Sequence, residues 1–114
     1  MTANQRSRLR AVLQRRIEEV RKAVQNAESQ LPTIEVALPD AMDRAAGSYE
    51  KEMLLEKTGK DRKLLQHLTR ALASLEEQNF GECVLCGEEI TFKRLEAVPW
   101  TRYCINCHQR LERG

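Results

Sequence analysis

Four cysteines stand in two pairs, Cys83-x2-Cys86 and Cys104-x2-Cys107, separated by 17 residues. A two-residue spacer lets both sulfurs of a pair face one point about 2.3 Å away, and two pairs complete a tetrahedron around Zn²⁺. Four thiolates leave no coordination position open, so the pattern points to one structural zinc ion rather than a catalytic one. The second pair runs into His108, and CINCH (104–108) also has the Cys-x-x-Cys-His form of covalent haem attachment. That rival needs an export route, and the N-terminal MTANQRSRLR has no apolar stretch behind its basic residues. It also leaves Cys83 and Cys86 without a task. A redox dithiol requires a separate account of each pair, and two disulfides require an oxidising compartment. On the zinc reading His108 is an exposed residue of a final helix, expected over Ile105–Arg113. Gly87 and Asn106 are the expected turn residues of the two pairs.

A second group of chemistry-bearing residues is Asp40, Asp43 and Ala45, in the pattern D-x-x-D-x-A. Asp40 and Asp43 share one face of a first helical turn. Helix starts favour Asp for its capping oxygen and its charge, so the residues alone do not demand a further role. Lys93, Arg94 and Arg102 lie between the cysteine pairs. They can contact phosphates or balance the negative charge of a thiolate–zinc centre. No nucleophile–base pair, phosphate-cradling glycine loop or open metal position is evident, so no enzyme activity is expected.

The elements that position these groups follow from composition and periodicity. The chain has 114 residues, 41% hydrophobic, 32% charged and 4% aromatic. That suits long helices with a narrow apolar stripe better than a large core. The net charge of +2 is too small to argue for nucleic acid. Residues 1–30 carry seven Lys/Arg against three Asp/Glu, residues 31–60 four against six, and residues 61–114 eight against eight. No membrane-spanning run is present, and a cytoplasmic protein is expected.

Leu9, Leu13, Ile17, Val20, Val24, Ala27 and Leu31 recur in steps of three and four, predicting one helix over residues ~4–30. Pro32 and Pro39 bracket the connector PTIEVALP, and Asp40 caps a second helix over residues ~40–78. Its expected seam is Met42, Ala46, Tyr49 and Met53, resuming at Leu64 or Leu65, Leu68, Leu72 and Leu75. The polar stretch EKTGKDRK (56–63) contains Gly59 and is expected to stay helical but soft. The fold class is therefore mainly α: a long antiparallel helical hairpin over 1–78 with its tip near 32–45, then a four-cysteine zinc finger over 79–114 ending in a short helix. NFGE (79–82) breaks the second helix, and Ile90, Phe92, Leu95, Val98 and Trp100 are expected to pack around the metal.

Taken together, LPDAMDRAA (38–46), DRKLL (61–65), NFGECVLCGEEI (79–90), RLEAVP (94–99) and CINCHQRLE (104–112) resemble the DksA/TraR family. The resemblance implies a bacterial transcription regulator that binds RNA polymerase directly rather than DNA. It implies a hairpin entering the secondary channel, with Asp40, Asp43 and Ala45 at the active-centre tip, Cys83, Cys86, Cys104 and Cys107 as zinc ligands, and altered open-complex stability. Lys60, Arg62 and Lys63 then serve as rim contacts. The chain departs from the family where guanosine tetraphosphate is held by basic side chains, since His67, Val98 and His108 occupy those positions. Neutral His lacks the bidentate guanidinium fork, so alarmone binding is expected to be weakened or absent. The segment before the first helix is also shorter than in the family. A monomer without DNA or membrane binding is expected. The alternatives are a zinc-finger nucleic-acid-binding module, with Lys93, Arg94 and Arg102 on phosphates, and a coiled-coil adaptor indifferent to its tip acids.

Overall fold

The structure, a computed structural model, describes residues 1–33 and 41–113, with side-chain surroundings for all of these but 33, 41–44 and 46. Helix α1 spans Ala3–Gln30 and helix α2 Ala41–Ser74, followed by the short helices α3 (Phe92–Ala97) and α4 (Ile105–Arg113). The described residues contain no strand, only an isolated antiparallel bridge between Glu82 and Glu89. Helix α4 has the bounds expected from the sequence.

A reciprocal cap starts α1. The Gln5 backbone N–H donates to Thr2 Oγ1 at 3.1 Å, and the Thr2 N–H donates to Gln5 Oε1 at 3.0 Å. Two orphan donors of the first turn are thereby satisfied. No Gly or Pro then interrupts the helix until Leu31–Thr33, where Pro32 sits in a single 3₁₀ turn. At 1.5 Å per residue, 28 residues make about 42 Å of helix. The predicted seam of α1 is buried at Leu9, Leu13, Ile17, Val20, Val24 and Ala27.

The chain divides into two compact units: Met1–Arg16 with His67–Gly114, and Ile17–Gln66. Each contains a stretch of α1 and a stretch of α2. In the first, Arg10 pairs with Glu76, and the Arg6 guanidinium donates to the Leu75 carbonyl. In the second, Arg62 Nη2 lies 2.7 Å from Glu28 Oε1. Early α1 meets late α2 and late α1 meets earlier α2, which is the pairing of antiparallel helices.

Helix α2 differs from expectation in two respects. Tyr49 and Met53 were expected to face inward but are 66% and 52% exposed. The side facing inward runs Gly47, Lys51, Leu54, Thr58, Asp61, Leu65, Leu68, Leu72, Leu75, all buried or half-buried, in alternating steps of four and three. Tyr49 sits two residues from Gly47 and Lys51, about 200° around the helix, and Met53 one residue before Leu54, about 100° around. Gly47, Lys51, Thr58 and Asp61 are small or polar, so hydrophobicity points to the wrong face. Thr58, 1% exposed, satisfies its hydroxyl by donating to the Leu54 carbonyl at 2.7 Å. The helix continues unbroken through Gly59.

The second difference is the end of α2, at Ser74 rather than near 78. There the backbone tightens into three-residue turns, Leu75 N–H to Leu72 O and Glu77 N–H to Ser74 O. The Arg6 guanidinium takes the Leu75 carbonyl, with a second reach of 3.4 Å to the Glu77 carbonyl. A cation from α1 thus satisfies carbonyls that the next helical turn would have used.

Candidate metal centre

The first cysteine pair sits in a tight loop. Cys83 N–H donates to Glu88 O at 2.8 Å, and Gly87 N–H donates back to Cys83 O at 2.9 Å. Gly87 has φ +76, a left-handed conformation that closes the turn. Gly81, φ +90, leads in, and a Cβ there would meet Met1 Cε at 3.1 Å. The second pair is closed differently. Asn106 lies inside α4 and is not a turn residue. Cys104 directly precedes α4, and its sulfur accepts the Cys107 N–H at 3.4 Å. A thiolate in this position gains from the unsatisfied N–H groups of the helix start. The Val84 N–H donates to Arg102 O at 3.0 Å and ties the two loops together.

The four sulfurs lie within 4.8 Å of one another and are the group of this kind among the described residues. A regular tetrahedron of sulfurs about 2.3 Å from a central metal has an edge of about 3.8 Å. Cys86 Sγ and Cys104 Sγ are 3.7 Å apart, so the donor set fits zinc in both chemistry and size.

Protonation differs among the sulfurs. Burial raises the Cys83 thiol, but backbone N–H groups of Cys104, Cys86 and Leu85 donate to its sulfur and bring it down to about 6. Cys86 is raised: the Glu88 N–H opposes the shift, and desolvation with hydrogen bonds to Cys83 and Cys104 outweighs it. Cys107 is pushed up to about 12, first by its hydrogen bond to Cys104 and then by desolvation.

Cys83, Cys104 and Cys107 share one buried cluster with Ile90, Leu95, Leu9 and Leu75. Phe92 packs on this cluster, while Val98 and Trp100 are half-buried and line a neighbouring pocket. Leu72 of the expected α2 seam also joins it, as do Phe80 and Tyr103, which were not among the residues expected around the metal. Arg8 lies over the Phe92 ring at 5.8 Å, and Arg16 over the Trp100 ring at 5.7 Å, so α1 contributes cations to both rings.

The His108 side chain is 43% exposed, and its Nε2 lies 2.9 Å from Glu112 Oε1. It stands with His67 and Val98 around a pocket of about 420 Å³ that Arg70, Arg94 and Trp100 also line. Arg70 Nη2 is 3.3 Å from His67 Nδ1. Lys93 and Arg102 are exposed. On α2, Lys60 reaches Glu56 at 3.8 Å, Arg62 is paired with Glu28, and Lys63 is exposed. Asp40 lies outside the described residues. Asp43 is within α2, and Ala45 is exposed there. No helix among the described residues is long and apolar enough to cross a membrane.

Comparison with known proteins bears on this geometry. The prokaryotic dksA/traR C4-type zinc finger matches residues 78–113. The RNA polymerase-binding transcription factor DksA of Salmonella typhimurium is 32% identical over 107 residues, 94% of this chain and 71% of the relative. The protein of the same name from Haemophilus influenzae is 34% identical over 91 residues, 80% of this chain and 60% of the relative. The structure of transcription factor DksA2 from Pseudomonas aeruginosa superposes with a TM-score of 0.86, at 26% identity, over 99% of this chain and 87% of that one. These are names of transcription factors, not enzymes. The cofactor of such a C4 finger is structural zinc, and the clustered sulfurs supply its donor set. By the extent of these similarities, the chain belongs to the DksA/TraR family of C4-type zinc-finger proteins.

Proposed function

We propose that this protein is a cytoplasmic, monomeric bacterial transcription regulator that binds RNA polymerase directly. The observation that carries the reading is similarity over 94% of the chain to factors named for binding RNA polymerase. In this reading the 1–78 hairpin enters the secondary channel, and the 79–114 finger, with Cys83, Cys86, Cys104 and Cys107 on zinc, stays at the rim. Asp40, Asp43 and Ala45 at the tip act on active-centre elements and change the lifetime of open complexes. Two carboxylates gain interaction strength once water is excluded around them. Lys60, Arg62 and Lys63 contribute rim contacts.

The response to guanosine tetraphosphate is weakened in this chain. Three observations support that. Val98 places an apolar side chain in the pocket, where a phosphate needs a donor. His108 is occupied by Glu112. Arg94, the half-buried guanidinium of the same pocket, is committed to the Tyr103 carbonyl. A tetraphosphate ligand is bound best by free, forked donors.

Single-round transcription from a ribosomal RNA promoter with the cognate polymerase tests the reading. The wild type is compared with Asp40→Asn/Asp43→Asn, each with and without guanosine tetraphosphate. Wild-type inhibition lost in the variant, with little added effect of the nucleotide, is expected. Equal activity of wild type and tip variant sinks the secondary-channel mechanism, and strong potentiation by the nucleotide sinks the weakened-alarmone reading.

A further inference from the structure

Among the described residues of the unit Ile17–Gln66, the large apolar side chains left exposed are Tyr49, Met53 and Leu55, and all three stand on α2. The stretch of α1 in the same unit turns Glu18, Arg21, Lys22 and Gln25 to solvent. A solitary exposed apolar residue is ordinary. Here three fall within seven residues, while Gly47, Lys51, Thr58 and Asp61 hold inward positions of the same helix. Packing of the hairpin gives no reason for a tyrosine and a methionine on the outer face. At 100° per residue, Ala45, Tyr49, Met53, Glu56, Lys60 and Lys63 share an arc of about 80°, on the side away from the inward seam. All six are exposed. Over about 27 Å of helix, this one face therefore runs from a tip residue, through an apolar pair, to the basic residues of the shaft.

We infer that the hairpin docks one-sidedly: the outer face of α2, not that of α1, seats against RNA polymerase, with Tyr49 and Met53 as its apolar anchor. The inference rests on the polymerase reading and adds which surface makes the contact and what it meets. Tyrosine supplies a large, stiff contact area and is enriched among residues that dominate binding energy, and methionine adapts to an irregular wall. Glu50 and Glu52 are exposed beside the pair, so the matching surface has an apolar floor and a basic rim. A second copy of this chain fits poorly. Two such patches facing each other oppose like carboxylates. A stable interface also takes about 800 Å² per partner, and one tyrosine supplies about 150–250 Å² when fully buried. The patch instead works as one anchor of a wider contact that continues to Ala45 on one side and to Lys60 and Lys63 on the other. Apolar contact of this kind acts on the dissociation rate and responds little to salt, whereas the charged residues act on encounter and are screened.

The test measures Kd and dissociation rate of the full, zinc-loaded chain on the cognate RNA polymerase, at low and at high salt. Wild type is compared with Tyr49→Gln/Met53→Gln, with Tyr49→Phe/Met53→Leu, and with Arg21→Gln/Gln25→Ala on α1. The glutamine pair is expected to bind about tenfold more weakly, through faster dissociation, by a similar factor at both salt concentrations. The Phe/Leu pair, which keeps the apolar area, and the α1 pair are expected to bind like wild type. Wild-type affinity in the glutamine pair overturns the anchor and leaves the polymerase reading standing. Equal losses in the α1 pair overturn the one-sided docking. Failure of the wild type to bind polymerase overturns the polymerase reading, and this inference with it. Self-association of the wild type that the glutamine pair abolishes assigns the patch to a second copy and overturns the inference. Should the glutamine pair lose its helical circular dichroism, a photoreactive phenylalanine analogue decides. Placed at Tyr49 it is expected to capture polymerase, and placed at Gln25 it is not. Capture from both positions, or from neither, overturns the inference.

Discussion

A buried thiol surrounded by other thiols is expected to hold its proton, and Cys107 does so, pushed up to about 12. Cys83 goes the other way, to about 6, because three backbone N–H groups aim at its sulfur. The metal-free site therefore presents one thiolate that is ready for a cation at neutral pH. Metal binding must strip the proton from Cys107 but finds Cys83 already without one. Calorimetric titration with zinc at about pH 7.5, in buffers of different ionisation enthalpy, is expected to register fewer than four protons released per metal. Release of all four contradicts a preformed Cys83 thiolate. The sign for stability follows. Cys83 is depressed in the folded, metal-free chain, so its contribution is present above the ordinary thiol range. It is lost as pH falls through about 6. The cysteine spacing made the donor set legible, since a two-residue spacer has few other uses in this setting. The anchoring of Arg94 was not legible. Its partner is a backbone carbonyl nine residues away, and no side-chain pattern encodes a carbonyl.

Among the elements, two glycines make a paired prediction. A Cβ at Gly59 or at Gly87 would meet nothing within 4 Å, so neither substitution is opposed by a neighbour. Gly59 lies in α2, where alanine is the better helix former by about 1 kcal/mol. Gly87 has φ +76, where an L-residue is disfavoured by about 1–2 kcal/mol. Denaturant unfolding of the zinc-loaded protein is expected to show Gly59→Ala stabilised and Gly87→Ala destabilised. Matching signs refute the account. The seam of α2 gives a second prediction. Leu68, 0% exposed, is expected to lose about 2–5 kcal/mol on truncation to Ala, by cavity formation. Tyr49→Gln and Met53→Gln, on the exposed face, are expected to stay within about 0.5 kcal/mol of wild type. A large loss at Tyr49 would restore the seam expected from hydrophobicity. Helix α1 was legible because every inward position is apolar from Leu9 to Ala27. The stretch of α2 up to Asp61 was not, because Gly47, Lys51, Thr58 and Asp61 hold inward positions while Tyr49, Met53 and Leu55 face out. The period of the burial pattern is preserved, but the residue types no longer report it.

At the scale of the whole molecule, the sulfur cluster is continuous with the hydrophobic cluster of its unit. Cys83, Cys104 and Cys107 are buried together with Leu9 of α1 and Leu75 at the end of α2. A segment of 36 residues such as 78–113 lacks the apolar area to fold without a staple. Here it borrows area from the two helices, and they borrow order from the metal. Arg6 and Arg8 of α1 bind the same region, one on the carbonyls after α2 and the other over Phe92. Loss of the metal is therefore expected to spread into the helices, but only within the unit that contains the sulfurs. The unit Ile17–Gln66 has its own buried stripe of Ile17, Val20, Val24 and Ala27 and its own cross-helix pair, Arg62 with Glu28. Hydrogen exchange before and after chelation separates the cases. Amides of residues 5–14 and 68–75 are expected to lose protection together with the finger, while the middle of α1 and α2 keeps most of its own. Loss confined to residues 79–113 would mean that the metal stabilises the finger alone. Loss across both units would mean that one cooperative transition governs the chain and that the division at Arg16 and His67 has no energetic counterpart.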